Sequence, residues 1–140
     1  QLEAGTTASD FEFLPVDANL TRCQRYFEKS YQLLEAPATN TGAGKGFVFG
    51  ASLYNVTTTG EVTAVYYSYK TRKRASPTIV LYDRAGNSGK GSRLQAGVAW
   101  TDNITATVNT ANDENGLNCY TASGSTATGM GFHFTSNSEL

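Results

Sequence analysis

The sequence predicts a mainly β fold: an antiparallel β-sandwich of jelly-roll type carrying one short α-helix near its N-terminus. Composition is the first reason. Of 140 residues, 39% are hydrophobic and only 16% charged, while Gly, Thr, Ser and Asn are plentiful. That balance favours many short strands joined by polar turns over a helical bundle. Alternation is the second reason, because six to eight segments switch apolar and polar residues with a period near two. The third is that a single stretch has helical spacing. A chain of this length is most naturally one domain with a real core.

The helix is expected within Leu14–Tyr31. Leu20, Cys23 and Phe27 recur at spacings of three and four, so they share one face and are expected to be buried there. Asp17 is the expected N-cap, and the basic residues Arg22, Arg25 and Lys29 lie off the apolar face. Glu35–Gly46 has no apolar period and is a loop. Phe47–Tyr54 reads as a strand, and Thr57–Gly60 as a turn. Glu61–Lys70 is the strongest strand. It places Val62, Ala64, Tyr66 and Ser68 on one face and Thr63, Val65, Tyr67 and Tyr69 on the other. Apolar groups on both faces predict burial on two sides. Pro77 precedes the β-branched run Thr78–Tyr82, a strand outside any central ladder. Asp83–Arg93 reads as a glycine-rich loop. Val98–Trp100, Ile104–Asn109, Gly116–Thr121 and Gly129–Phe134 complete the strands.

Most chemistries fail on residue inventory. The single histidine, His133, alternates with Phe132 and Phe134, which predicts a ring facing a surface or a subunit contact. No Gly-x-Ser-x-Gly elbow is present to expose a nucleophile. Gly42-Ala43-Gly44-Lys45-Gly46 breaks the phosphate-loop rule at Gly46 and at Thr39, and it precedes a strand. Asn112–Gly116 lacks the first and last ligands of a calcium loop, and an Asn-Gly turn explains the same letters. No Cys/His cluster has zinc spacing. No catalytic residue, metal or cofactor is therefore expected. A net charge of −1 gives no electrostatic reason to expect nucleic acid, and no apolar run reaches a membrane-spanning length. Lys70-Thr71-Arg72-Lys73-Arg74 is the one dense basic run. It reads as a solvated turn, with contact to phosphates or uronic acids as the functional alternative. The tyrosines are expected mainly in the core.

Several segments carry a resemblance. Gln1–Glu3 with Gly5–Glu12, then Cys23-Gln24-Arg25-Tyr26-Phe27-Glu28-Lys29-Ser30-Tyr31, then Arg74–Asp83 with Ala85–Asn87, and finally Phe132–Thr135 with Ser138–Leu140 resemble the C-terminal head domain of tailed-bacteriophage tail fibres and appendages. The Cys-Gln-Arg-Tyr run is the most specific part. The resemblance implies a homotrimer that contacts other virion proteins and binds a bacterial surface glycan, in a particle assembled in the host cytoplasm. It implies that residues 1–13 are the tail of a preceding module or a connector strand, and that residues 14–140 are one head domain. A capsid decoration or joining protein, and the non-catalytic terminal module of a phage depolymerase, are the alternatives. The reducing compartment so implied favours free thiols at Cys23 and Cys119, although the sequence leaves a disulfide open. The binding surface is expected on the loops Thr39–Lys45, Asp83–Arg93 and Asp113–Asn115. Arg84, Lys90 and Arg93 would supply charge there, with Asp113 beside them.

Overall fold

The computed structural model describes residues 13–56, 62–95, 99–108, 114–122 and 127–139. Its order is α1 (Val16–Gln24), β1 (Phe27–Lys29), β2 (Val48–Val56), β3 (Val62–Ser68), β4 (Thr78–Tyr82), β5 (Lys90–Gln95), β6 (Thr101–Val108), β7 (Gly116–Ala122) and β8 (Ala127–Asn137). The fold is mainly β, with one helix and one antiparallel eight-stranded sheet. The expected connector strand and the turn at Thr57–Gly60 lie outside the described residues, apart from Phe13.

The last strand organises the sheet. Residues 127–131 of β8 lie between β2 and β5, Phe132 pairs with β2, His133 and Phe134 pair with β4, and residues 135–137 lie between β4 and β1. Both edges of β8 are therefore filled over most of its length. From β5 the ladder continues through β6 and β7 to β3. The sheet curls, so that β3 comes back against β2. There Val65 packs onto Gly50, with its Cγ2 only 2.7 Å from the point a β-carbon at Gly50 would occupy.

Both faces of β8 are buried, and its sequence explains how. Met130, Phe132 and Phe134 point into the main core with Val65, Tyr69, Leu81, Leu117 and Cys119. The alternate positions are Gly129, Gly131 and His133. The two glycines leave room for aromatic rings: Phe49 lies over Gly129 and Phe47 over Gly131, where any β-carbon would collide with them. Trp100 meets both rings edge-on at 5.4 Å, and Tyr31 stacks on His133 at 4.1 Å. The loop from Tyr31 to Phe47 thus lays a second apolar layer on the outer face of β8.

Five expectations need correction. The helix stops at Gln24, and none of its residues is buried. Cys23 is exposed, Leu20 is 46% exposed, and Phe27 is 43% exposed and belongs to β1. Helical spacing lost to tertiary pairing here, because Phe27–Lys29 adds to the end of β8 opposite Asn137, Ser136 and Thr135. The residue before the helix is Pro15; the Asp17 carboxylate instead accepts from the adjacent Ala18 amide at 2.9 Å. Burial on two faces belongs to β8, not to β3: Val65 is buried, while Ala64, Tyr66 and Ser68 face outward. The last four residues of the expected loop Asp83–Arg93 belong to strand β5, and no strand forms at residues 99–100.

Candidate functional site

Three polar constellations are built into this frame. The first surrounds His133, which is fully buried, not surface-facing. Its Nδ1 lies 3.1 Å from Ser30 Oγ and its Nε2 2.8 Å from Thr41 Oγ1. Ser30 Oγ also accepts from the Phe134 amide at 3.0 Å. Burial pulls the imidazole down to about 4, with the Gly42 backbone only partly opposing. The ring is therefore neutral at pH 7. Among the described residues no carboxylate hydrogen-bonds it. Asp83, the nearby fully buried acid of this region, is occupied by the Asn87 backbone and side-chain amides and the Asn103 backbone amide, each at 2.8 Å. Ser30 and His133 thus staple the loop over β8 and lack the orienting acid of a hydrolytic triad.

The second constellation lies where the expected binding loops meet. Loops 36–46 and 83–89 do come together. Gly86 (φ 93°) sits so close to the Ala38 carbonyl that a side chain would strike it, and Gly42 N–H donates to the Arg84 carbonyl at 3.3 Å. Residues 114–115 lie elsewhere: the Tyr69 and Lys73 amides donate to the Asn115 and Glu114 carbonyls, both at 2.8 Å. Of the expected site residues, Arg84 grips Asp102 through two bonds of 2.9 and 3.0 Å and lies 5.2 Å over the Trp100 ring. Ser92 Oγ donates to the same carboxylate at 2.6 Å and accepts from Arg84 N–H at 3.0 Å. The guanidinium beside Asp102 holds that carboxyl below the usual range, with burial opposing. Arg84 is a tether, and its charge is already spent. Lys90 reaches Thr105 Oγ1 at 3.4 Å, and Arg93, half-buried, stands opposite Thr101 and Met130. Asp113 lies outside the described residues.

The third constellation is a cleft of about 400 Å³ lined by Arg25, Thr71, Arg72, Lys73, Arg74 and Glu114. The basic run is a turn with Lys70, Arg72 and Arg74 exposed as expected, and Lys73 is the exception. Lys73 is buried, with its ammonium 2.7 Å from Glu28 Oε2, 2.5 Å from the Gln24 carbonyl and 4.6 Å from the Tyr69 ring centre. Glu28 also accepts from the Tyr67 hydroxyl at 3.0 Å and from the Lys70 amide at 3.3 Å. Burial lowers the Lys73 pKa, and Glu28 partly restores it. The same burial and the Glu28 charge push the Tyr67 hydroxyl up. This pairing joins positions 45 residues apart, which no local pattern in the sequence signals. Arg25 was also missed, because its place on the polar side of a helix looked ordinary.

Both cysteines are free; Cys119 is fully buried, and burial pushes its thiol up to about 12. Among the described residues no group of three or more His, Cys, Asp or Glu side chains is placed to hold a metal. No family model, curated protein or solved structure matches the chain.

Proposed function

We propose that this chain is the distal domain of a bacteriophage tail fibre or related virion appendage, that it acts as a homotrimer, and that it binds a host-surface glycan without catalysing a reaction. The observation that supports it is where the resembling segments fall. Those around Cys23–Tyr31, Arg74–Asp83 and Phe132–Thr135 are remote in sequence but form one hydrogen-bonded unit, β1 and β4 on either edge of the same half of β8. The basic end of the 70–74 turn is fastened to the first of them by Lys73 and Glu28. A shared framework of this kind with differing loops is how one fold presents many recognition surfaces. The two apolar layers on β8 are the monomer's share of a sandwich-like head. Its glycan surface is formed by loops 36–46 and 83–89 with Lys90 and Arg93, while Arg84 holds that surface in shape.

Competition for adsorption tests this reading. Purified chain added to host cells before phage is expected to block adsorption in proportion to its concentration. Lys90→Ser with Arg93→Ser is expected to weaken the block, leaving the Arg84 tether intact. A folded, trimeric protein that never blocks adsorption would overturn the receptor-binding reading in favour of decoration.

A further inference from the structure

We propose that the cleft between the C-terminal end of α1 and the 70–74 turn is an anion subsite that takes the phosphate or uronate group of a bacterial glycan. The proposal rests on the glycan-binding reading above and adds a place and a charge to it.

The argument begins with charge. Four cations and one carboxylate line the cleft. Lys73 is used by Glu28, and Arg72 lies 2.6 Å from Glu114. That leaves Arg25 and Arg74. Among the described residues neither guanidinium meets a carboxylate. On a chain of net charge −1, two uncommitted guanidiniums in one concavity are a local excess that an anion would neutralise.

The site is also preorganised. Arg74 N–H donates to the Arg25 carbonyl at 3.0 Å, which fixes the two backbones side by side. The Arg74 guanidinium lies 5.5 Å over the Tyr26 ring, which restricts its rotamers. Beneath them the buried Lys73 holds the turn down, and its amide is anchored on the Glu114 carbonyl at 2.8 Å. The backbone of the site is thus ordered in advance, and binding has chiefly the Arg25 side chain left to order. Arginine presents a planar fork of donors that matches phosphate and carboxylate oxygens. The Thr71 hydroxyl adds a neutral donor for a sugar hydroxyl. A volume of about 400 Å³ lies at the small end of ligand pockets, the scale of one or two sugar rings. Nucleic acid would call for a longer basic track than two guanidiniums.

The test is direct binding by calorimetry at low salt. The probes are glucose 1-phosphate, a galacturonic acid disaccharide, a neutral disaccharide and a short single-stranded DNA. Either anionic sugar is expected to bind with a Kd on the order of 1 mM, about −4 kcal/mol, at least tenfold tighter than the neutral disaccharide. The tighter of the two identifies the group recognised. Arg25→Ser with Arg74→Ser is expected to abolish that preference without lowering the melting temperature. Equal binding of the neutral sugar, unchanged binding by the Arg25/Arg74 variant, or tighter binding of DNA would overturn the subsite. Adsorption blocking that survives in the Arg25/Arg74 variant also counts against the subsite but not against the appendage reading. Anionic-sugar binding that depends on Arg25 and Arg74, in a protein that never blocks adsorption, supports the subsite and removes the appendage reading.

Discussion

At the scale of single residues, burial and partners decide what each polar group does, and composition says little about either. His133 looked like a strand residue with its ring turned outward, because its neighbours are phenylalanines. The alternation was legible. The burial was not, since it depends on Tyr31 and Phe47 arriving from a loop to cover the outer face. The consequence is measurable. The folded imidazole titrates near 4, below its ordinary 6.5. As pH falls below 6.5 the unfolded chain takes up a proton that the folded chain refuses, so stability is lost until the pH reaches about 4. Below that both states are protonated and the loss levels off. At 1.36 kcal/mol per pH unit the loss is on the order of 3 kcal/mol. Urea unfolding at pH 7 and pH 4.5 checks this against His133→Gln, which keeps a polar side chain but cannot titrate. The native protein is expected to lose about 2–3 kcal/mol more than the variant over that interval. Equal losses would show that carboxylates carry the whole acid response.

At the scale of elements, legibility followed locality. Strand β4 has the bounds expected from its β-branched run, and β7 and β8 contain theirs. Each is marked over its own residues, β4 by β-branched side chains and β7 and β8 by alternation. Strand β1 was hidden, because Phe27-Glu28-Lys29 continues the helical spacing of Leu20 and Cys23; only the free edge of β8 makes it a strand. The Lys73–Glu28 pair was hidden for the same reason. It fastens the 70–74 turn to β1 and to the end of α1, and it is desolvated on both sides. Removing one partner leaves a buried charge without compensation, whereas replacing both need not. Glu28→Ala is therefore expected to cost about 3–5 kcal/mol. The double variant Glu28→Leu with Lys73→Met is expected to recover most of that loss. Denaturant titrations of the single variants and the double form the cycle. Single losses below 1 kcal/mol would show that solvent reaches the pair.

At the scale of the whole molecule, one feature has no explanation among the described residues of a single chain. Helix α1 has nine residues, and none is buried. Isolated helices shorter than about 12–15 residues are marginal in water, so α1 needs packing that the described residues do not provide. Its apolar residues are in register for such packing. Within α1, Val16, Leu20 and Cys23 follow spacings of four and three, the spacing of a helical-bundle seam. Val16 is 84% and Leu20 46% exposed. Large apolar groups aligned on one stripe mark an association surface more than scattered exposure does. The proposed trimer would make its contact on this stripe, ahead of the outward face of β3, where Tyr66 is the large apolar group among the described side chains. Light scattering at micromolar concentration is expected to give three times the 15.0 kDa chain mass. Val16→Glu with Leu20→Glu is expected to reduce that to the mass of one chain while the β-sheet signal in far-ultraviolet circular dichroism stays unchanged. Phe27→Ala reports on the same contact through stability. In a monomer, a half-exposed phenylalanine loses well under the 3–5 kcal/mol of a core position, about 1 kcal/mol. In a trimer the loss approaches the core value and grows with dilution, because unfolding is then coupled to dissociation. A native protein that scatters as one chain at every concentration would remove the trimer, and α1 would then have to owe its order to residues preceding Phe13.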